Sequence, residues 1–241
     1  MAFGLTVKND YGDTVIDGEW PNYTKMQEGV IPFTIKSTNG NGDGKAVVVI
    51  SLITPGTDSS PPILLIRPNG SIDGTVELVQ VTTLGYPGNW TGFNLIFTQP
   101  YNSPTSVKPL QYKIYGVQPA PEAAWGMRVF SPSGAIVFDS SRQQLRLSRV
   151  ITSTDWVLTS QYPGTNSNYG SWGQTHVTTL PADTYISIST ISFDGIYASN
   201  PGALYLKILR WGGGTLTMTT RAFMGGYGYG PPLDAQPVFC G

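Results

Sequence analysis

The stretch that decides the fold is WGMRVFSPSGAIVFD, residues 125–139, which aligns without a gap with FGLTVKNDYGDTVID, residues 3–17. Both have glycine at the second and tenth positions, and both end in aspartate. In each, apolar residues alternate with smaller or polar ones, and a four-residue turn and a second apolar run follow. Alternation with a period of two is typical of a half-buried strand, and both turns suit type I geometry with glycine at positive φ. Each copy therefore predicts a β-hairpin.

Further candidate strands follow each hairpin and are separated by turn residues. They are 31–35, 46–52, 63–66 and 76–83 in the first half, and 146–151, 177–180 and 184–191 in the second. Each half then closes with a predicted terminal hairpin, within 93–117 in the first half and 203–223 in the second. Short strands at regular spacing with turn signals between them favour sandwich-like β domains.

The sequence therefore predicts an all-β chain of two tandem β-sandwich-like domains that arose by internal duplication. An N-terminal β domain, residues 1–118, would be joined by a Pro/Ala linker, 119–124, to a C-terminal β domain, 125–241. The second domain would end in a Gly/Tyr-rich arm over 225–232. The alternative is one sandwich in which each of the two sheets begins with a copy of the hairpin.

The composition limits the classes of function. Charged residues make up 12% of the 241 residues, against about 25% in an ordinary soluble domain, and the net charge is −1. This balance does not favour nucleic acid or an anionic membrane as a partner. The longest apolar runs, such as AVVVISLI at 46–53, are too short to span a bilayer, and no basic-then-apolar signal sequence opens the chain. We expect synthesis in a cytoplasm, use outside a cell and no membrane insertion.

Both hairpins resemble a segment of small tail-tip and tail-fibre-associated proteins of tailed bacteriophages and prophages. That segment reads aromatic-Gly-hydrophobic-x-Val, then Gly, then a β run ending in Asp. The resemblance covers fifteen residues in each half; only the second copy continues with Ser140-Ser141-Arg142, where the first has Gly18-Glu19-Trp20. It implies a virion structural or host-attachment role, made in the host cytoplasm and used in the tail of the virion. It also implies other tail proteins as partners and a homotrimer, and it supplies no catalytic residue.

Catalytic and metal-binding motifs are weak in this sequence. His176 is the single histidine and has no nucleophile elbow beside it, so we expect a surface or turn histidine. Cys240 is the single cysteine and stands at a C-terminus that we expect to be frayed. Residues 39–44 imitate the opening of a calcium loop, but Ile50 stands where the closing acid is needed. We therefore predict a non-enzymatic protein without cofactor or metal, and keep a cell-wall hydrolase as a weaker alternative.

Aromatic residues in loop-like stretches give the best binding signal. GYPGNW, 85–90, and WVLTSQYPGTNSNYGSWGQTH, 156–176, mix flat rings with small polar residues, a combination that suits a sugar or a protein surface. The candidate contacts for a host glycan or protein receptor are Tyr86, Trp90, Trp156, Tyr162, Tyr169 and Trp172. The candidate subunit contacts are Arg142, Arg146, Arg149, Tyr227 and Tyr229. A carbohydrate-binding module or lectin is the main alternative to a tail protein, and packing inside the fold is the structural alternative for each ring.

Overall fold

A computed structural model describes residues 6–8, 10, 14–17, 22–35, 44–68, 77–99, 106–117, 126–151, 153–155, 157–162, 171–181, 184–187, 196–197, 203–212, 215–224 and 238–240. The regular structure in these ranges is all β except for one 3-10 turn, Ser153–Asp155, so the all-β prediction is confirmed. No helix in these ranges is long and apolar enough to cross a membrane. The strands in chain order are β1 (Thr6–Lys8), β2 (Thr14–Asp17), β3 (Thr24–Ile35), β4 (Gly44–Gly56), β5 (Ile63–Pro68), β6 (Glu77–Tyr86), β7 (Asn89–Gln99), β8 (Ser106–Gly116), β9 (Arg128–Phe130), β10 (Ile136–Asp139), β11 (Arg149–Ile151), β12 (Val157–Tyr162), β13 (Ser171–Thr179), β14 (Ile186–Ser187), β15 (Ile196–Tyr197), β16 (Ala203–Gly212), β17 (Thr215–Met224) and β18 (Val238–Cys240).

Two large antiparallel sheets form the body of the molecule. The smaller has the strand order β11-β18-β14-β5-β8-β3, and the larger has the order β12-β13-β17-β16-β6-β7-β4, with β15 pairing beside β16. Buried apolar side chains from both sheets form one cluster, which is the arrangement of a β-sandwich. Phe93 and Phe97 are its largest fully buried members. The cluster comprises Ala46, Val48, Ile50, Leu52, Leu64, Ile66, Leu78, Phe93, Leu95, Phe97, Leu110, Tyr112, Ile114, Ile151, Ile186, Leu216 and Met218.

Strands from both halves of the sequence build each large sheet. In the smaller sheet Ile186 of β14 pairs with Ile66 of β5, and in the larger sheet Leu209 of β16 pairs with Leu78 of β6. The large core cluster likewise contains residues from before and after the linker. The expected arrangement of two tandem sandwiches, 1–118 and 125–241, is therefore not confirmed, because the second half contributes strands to both sheets that the first half begins. The linker itself, 119–124, lies outside the described residues.

The two copies of the sequence motif form separate two-stranded sheets with the same register. In the first, Thr6 faces Asp17 and Val7 faces Ile16; in the second, Arg128 faces Asp139 and Val129 faces Phe138. Both hairpins shift register at the next pair, which is the same place in the alignment. The hairpin prediction is therefore confirmed for both copies, whereas duplication of a whole domain is not.

The turn of the second hairpin has the geometry that its sequence predicts. The Gly134 N–H donates to the Ser131 carbonyl oxygen at 2.9 Å, and the Ala135 N–H donates to the Ser131 Oγ at 3.1 Å. Gly134 has φ of 82°, in the left-handed region that glycine enters at little cost. The local sequence thus fixes this turn without help from the rest of the chain.

Three other expectations about the ends of the halves are resolved. β16 and β17 form the predicted terminal hairpin of the second half. The corresponding prediction for the first half is wrong, because β7 pairs with β4 and β6 while β8 pairs with β3 and β5 in the other sheet. The expected frayed end at Cys240 is also wrong, since β18 pairs with β11 on one side and β14 on the other.

Candidate functional site

The second hairpin and the chain that follows it dock along the start of β3. The Asn22 N–H donates to the Val137 carbonyl at 2.9 Å. Further along, the Lys25 N–H donates to the Gln143 carbonyl and the Leu145 N–H to the Tyr23 carbonyl, each at 2.8 Å. These backbone contacts join a local hairpin of the second half to a strand of the first half.

A buried carboxylate closes this hairpin. The Asp139 side chain is 2% exposed, and its Oδ1 accepts hydrogen bonds from the Ser141 N–H at 2.8 Å and the Ser141 hydroxyl at 2.6 Å. Its Oδ2 forms an ion pair with the Arg128 Nε at 3.2 Å, across the hairpin. The Ser141 hydroxyl and N–H, followed by Arg128, lower the pKa of Asp139 despite the opposing effect of burial. The aspartate that ends the sequence motif is therefore a charged structural clamp.

Ser140 connects this clamp to the glycine of the aromatic-Gly-hydrophobic triplet. The Met127 N–H donates to the Ser140 Oγ at 2.8 Å, and the Ser140 N–H donates to the Met127 carbonyl at 3.0 Å. A Cβ on Gly126 would lie 2.8 Å from that Oγ, and Gly126 has φ of 145°. Only glycine fits here without strain, so Gly126 of the motif is matched to the Ser140 that follows it in the second copy.

The structure gives the three candidate arginines different environments. Arg142 is half-buried and its N–H donates to the Asp139 carbonyl at 3.2 Å; desolvation lowers its pKa, and the charge of Asp139 opposes that shift. Arg149 forms an ion pair with Asp155. Arg146 is exposed. Arg149 is also exposed but is paired with Asp155, and Arg142 is half-buried.

The tip of the β6–β7 hairpin presents one candidate aromatic ring and uses the other internally. Tyr86 is 63% exposed beside the Pro87-Gly88 turn. Trp90 is half-buried against the core, and its indole N–H donates to the Asp58 carbonyl at 2.9 Å. The Gly88 N–H donates to the same carbonyl at 2.9 Å. Trp90 therefore fixes the tip to the neighbouring 57–62 segment, and Tyr86 is the ring available to a ligand.

This tip and the second hairpin lie at the same end of the sandwich. The Tyr23 hydroxyl donates to the Pro61 carbonyl at 3.3 Å, which links the docked segment 143–145 to the segment that holds Trp90. The Met26 side chain packs between Gly56 and Gly116 at the same end. We refer to this region, consisting of 22–26, 57–62, 85–90 and 126–147, as the hairpin end. Met127 and Phe130, which are 49% and 55% exposed, add apolar surface to it.

Two other sequence-predicted aromatic residues, Tyr162 and Trp172, lie in strands outside the hairpin end. Tyr162 lies in β12 and Trp172 in β13, so both belong to strands and not to a loop. In the larger sheet β17 and β16 stand between β13 and the β6–β7 tip. His176 also lies within β13, so of the expected surface or turn positions the turn is wrong. Four candidates lie outside the described residues: Trp156, Tyr169, Tyr227 and Tyr229.

Sequence reasoning missed a cationic-aromatic cluster on the smaller sheet. The Lys113 Nζ lies 4.3 Å and the Arg67 Cζ 4.8 Å from the centroid of the Tyr185 ring. The Tyr185 hydroxyl donates to the Gln111 Oε1 at 3.0 Å, and the Arg67 Nε donates to the same oxygen. The residues come from β5, β8 and the chain just before β14, so only the pairing between the two halves brings them together.

Within the described ranges, no group of three or more His, Cys, Asp and Glu residues is placed to hold a metal ion. The 39–44 segment lies outside those ranges except for Gly44, which begins β4. No family model, curated protein or solved structure matches the chain.

Proposed function

We propose that the chain is a non-enzymatic structural protein of a bacteriophage virion, placed in the tail-tip or tail-fibre region, where it contributes to tail assembly and host-surface attachment. The observation that carries the proposal is the second hairpin. Met127 and Ser140 bond to each other across it, its Asp139 bonds to Ser141 and Arg128, and the hairpin up to Asp139 is the segment that resembles tail-associated proteins. A small rigid hairpin docked on a sandwich suits subunit contact better than catalysis.

The hairpin end supports the attachment part of this proposal. It presents Tyr86, Met127 and Phe130 on elements that are fixed by backbone hydrogen bonds, so little conformational entropy is lost when a partner binds them. The low charge of the chain favours contacts through aromatic and polar groups. The partners in this proposal are other tail proteins, further copies of the chain in a homotrimer, and a host-surface receptor.

Immunogold electron microscopy of virions that carry the chain tests the assignment. Labelling at the tail end is the expected result. Labelling on the capsid, or virions without label, would contradict the tail assignment. Assembly of particles in a strain lacking the chain separates the two roles, because loss of tails indicates assembly and intact but non-adsorbing particles indicate attachment.

A carbohydrate-binding module is the second candidate, and the exposure of Tyr86 is the observation that favours it. An exposed ring beside a fixed turn is a common platform for a sugar face. A glycan array with the wild-type chain and the Tyr86→Ala variant tests it. Binding that the variant loses would favour a lectin, and absence of binding to host polysaccharides would favour a structural protein.

A further inference from the structure

The strands at the two ends of each large sheet's strand order differ in their ability to accept another strand, and β15, which pairs only with β16, has just two residues. β3 contains Pro32, which has no N–H to donate, and its register shifts near its start. β12 is also interrupted by a register shift, and β11 has only three residues. β4 pairs with β7 in one uninterrupted register from Gly44 to Ser51 and has no proline in that stretch. Among the described strands, β4 is therefore the edge most suited to pairing with a further strand.

The direction of the backbone groups along β4 follows from two contacts. A Cβ on Gly92 of β7 would collide with the Ile50 carbonyl oxygen, so the backbone groups of Ile50 face β7. Backbone groups alternate in direction along a strand, so those of residues 45, 47, 49 and 51 face away from β7. At the far end of this row, the Gln27 side chain confirms the direction. Its Nε2 donates to the Ser51 carbonyl at 3.1 Å, and its Oε1 accepts from the Ile53 N–H at 2.9 Å.

The Gln27 amide thus bonds to β4 as the backbone amide of a neighbouring strand would. It occupies the edge at Ser51 and Ile53 and leaves the backbone groups of Lys45, Val47 and Val49 facing outward. Val47 and Val49 are also 57% and 53% exposed on the outer face, whereas their neighbours Ala46 and Val48 are buried. Among the described residues, this part of the edge therefore combines outward-facing main-chain groups with exposed apolar side chains.

We propose that this part of β4 pairs antiparallel with β4 of a second copy of the chain, about a two-fold axis at Val47. In that register Val47 faces Val47 of the second copy, and Lys45 faces Val49. Each outward-facing residue faces one residue of the second copy, which gives three facing pairs. Each pair forms two main-chain hydrogen bonds, about six in all. The contact is self-complementary, as a two-fold interface requires, and Gln27 prevents the ladder from extending beyond Val49. The contact joins the larger sheet of one copy to the larger sheet of the second copy as one continuous sheet.

This pairing goes beyond the proposed virion role and does not depend on it. Its symmetry is two-fold, so it is a different contact from the one that a homotrimer needs. Failure of the immunogold experiment would leave the pairing intact, and failure of the pairing would leave the tail assignment intact.

Sedimentation velocity of the full chain over a wide concentration series tests the pairing. We expect dimers, or assemblies with an even number of copies. Val47→Lys brings two like charges together at the axis and should raise the dissociation constant by roughly tenfold or more. The matched control is Val30→Lys, at a position 51% exposed on edge strand β3, and it should change the constant by less than about twofold. A monomer at every concentration, or equal effects of the two variants, would overturn the proposal.

Amide hydrogen exchange gives a second measurement that does not require a variant. In the assembled wild-type chain the amides of Val47 and Val49 should exchange slowly, and dilution to the monomer should speed them by at least about tenfold. The amide of Val48 faces β7 and should stay slow in both states. Fast exchange of Val47 and Val49 in the assembled chain would overturn the proposal even if Val47→Lys failed to fold.

Discussion

Replacement of Asp139 by asparagine tests how the second hairpin is closed. The carboxylate accepts two hydrogen bonds from Ser141 and one charged contact from Arg128. Asparagine keeps the size and one carbonyl oxygen, but it removes the charge that strengthens all three contacts. Hydrogen bonds to charged groups contribute about 1.5–3 kcal/mol and neutral ones about 1 kcal/mol. Because Arg128 keeps partial access to water, with 29% of its side chain exposed, we expect a total loss of about 2 kcal/mol.

Local exchange of backbone amides is the appropriate assay for Asp139→Asn. The second hairpin is a separate two-stranded sheet, so the lost free energy should appear first as local opening and not as global unfolding. The Ser140 N–H, which bonds to Met127, should exchange about 30-fold faster in the variant. Glu28→Gln is the matched control, since it removes the charge of an acid in the exposed Lys25–Glu28 ion pair, and it should change this rate less than about threefold. Equal rates in the two variants would refute the clamp.

The same variant has a predicted pH dependence. The pKa of Asp139 lies below its ordinary value of 3.8, so the folded state favours the ionised form. The stabilising contribution is therefore complete above that ordinary value and is lost as the pH falls through the lowered folded value. The difference in Ser140 exchange between the wild type and Asp139→Asn should be full at neutral pH and should shrink in strong acid.

The remaining variants test the backbone, the tip and the core. Gly126→Ala should destabilise the second hairpin by about 1–3 kcal/mol, because it places a side chain at an unfavourable φ and overlaps Ser140. Gly134→Ala also places a side chain at a positive φ, but into open space, so it should cost about 1 kcal/mol in the same exchange assay. Trp90→Phe should lower the free energy of unfolding by about 1 kcal/mol through loss of the indole hydrogen bond, measured by urea titration. Tyr86→Ala should change it by less than about 0.5 kcal/mol while weakening any ligand contact at the tip. Phe93→Ala should cost about 3–5 kcal/mol in urea, and a loss below about 1 kcal/mol would contradict its place in the core.

Sequence reasoning succeeded where the structure depends on neighbours in the chain. Each hairpin pairs two strands that are close together in the chain, so the alternation of apolar residues and the turn residues between the runs were enough to predict both. The β16–β17 hairpin was predictable for the same reason. The β7–β8 prediction failed because consecutive strands of a sandwich often belong to different sheets, and the alternation pattern is the same in either case.

The pairing between the halves could not be predicted from local patterns. β14 contributes two residues, Ile186 and Ser187, to a ladder whose partner strand lies more than 100 residues earlier in the chain. Such contacts are selected by packing across the core, which a repeat in the sequence does not specify. For this reason the repeat led to the prediction of two domains, although it describes only the two hairpins.

The candidate site was predictable in part. The sequence indicated Tyr86 and the segment after Asp139, and both lie at the hairpin end. It could not separate Tyr86 from Trp90, because the partner of the indole N–H is the carbonyl of Asp58, on a different segment. The Tyr185 cluster gave no signal in the sequence, since its cations come from β5 and β8.

The central structural claim is that both halves share two sheets and one core. The most direct test is to produce residues 1–118 and 119–241 separately and to compare their unfolding with that of the whole chain by calorimetry and circular dichroism. We predict one cooperative transition for the whole chain, no cooperative transition for either half alone, and recovery of the β signal when the halves are mixed. Two halves that each fold alone, with transitions that add up to that of the whole chain, would contradict the shared sheets.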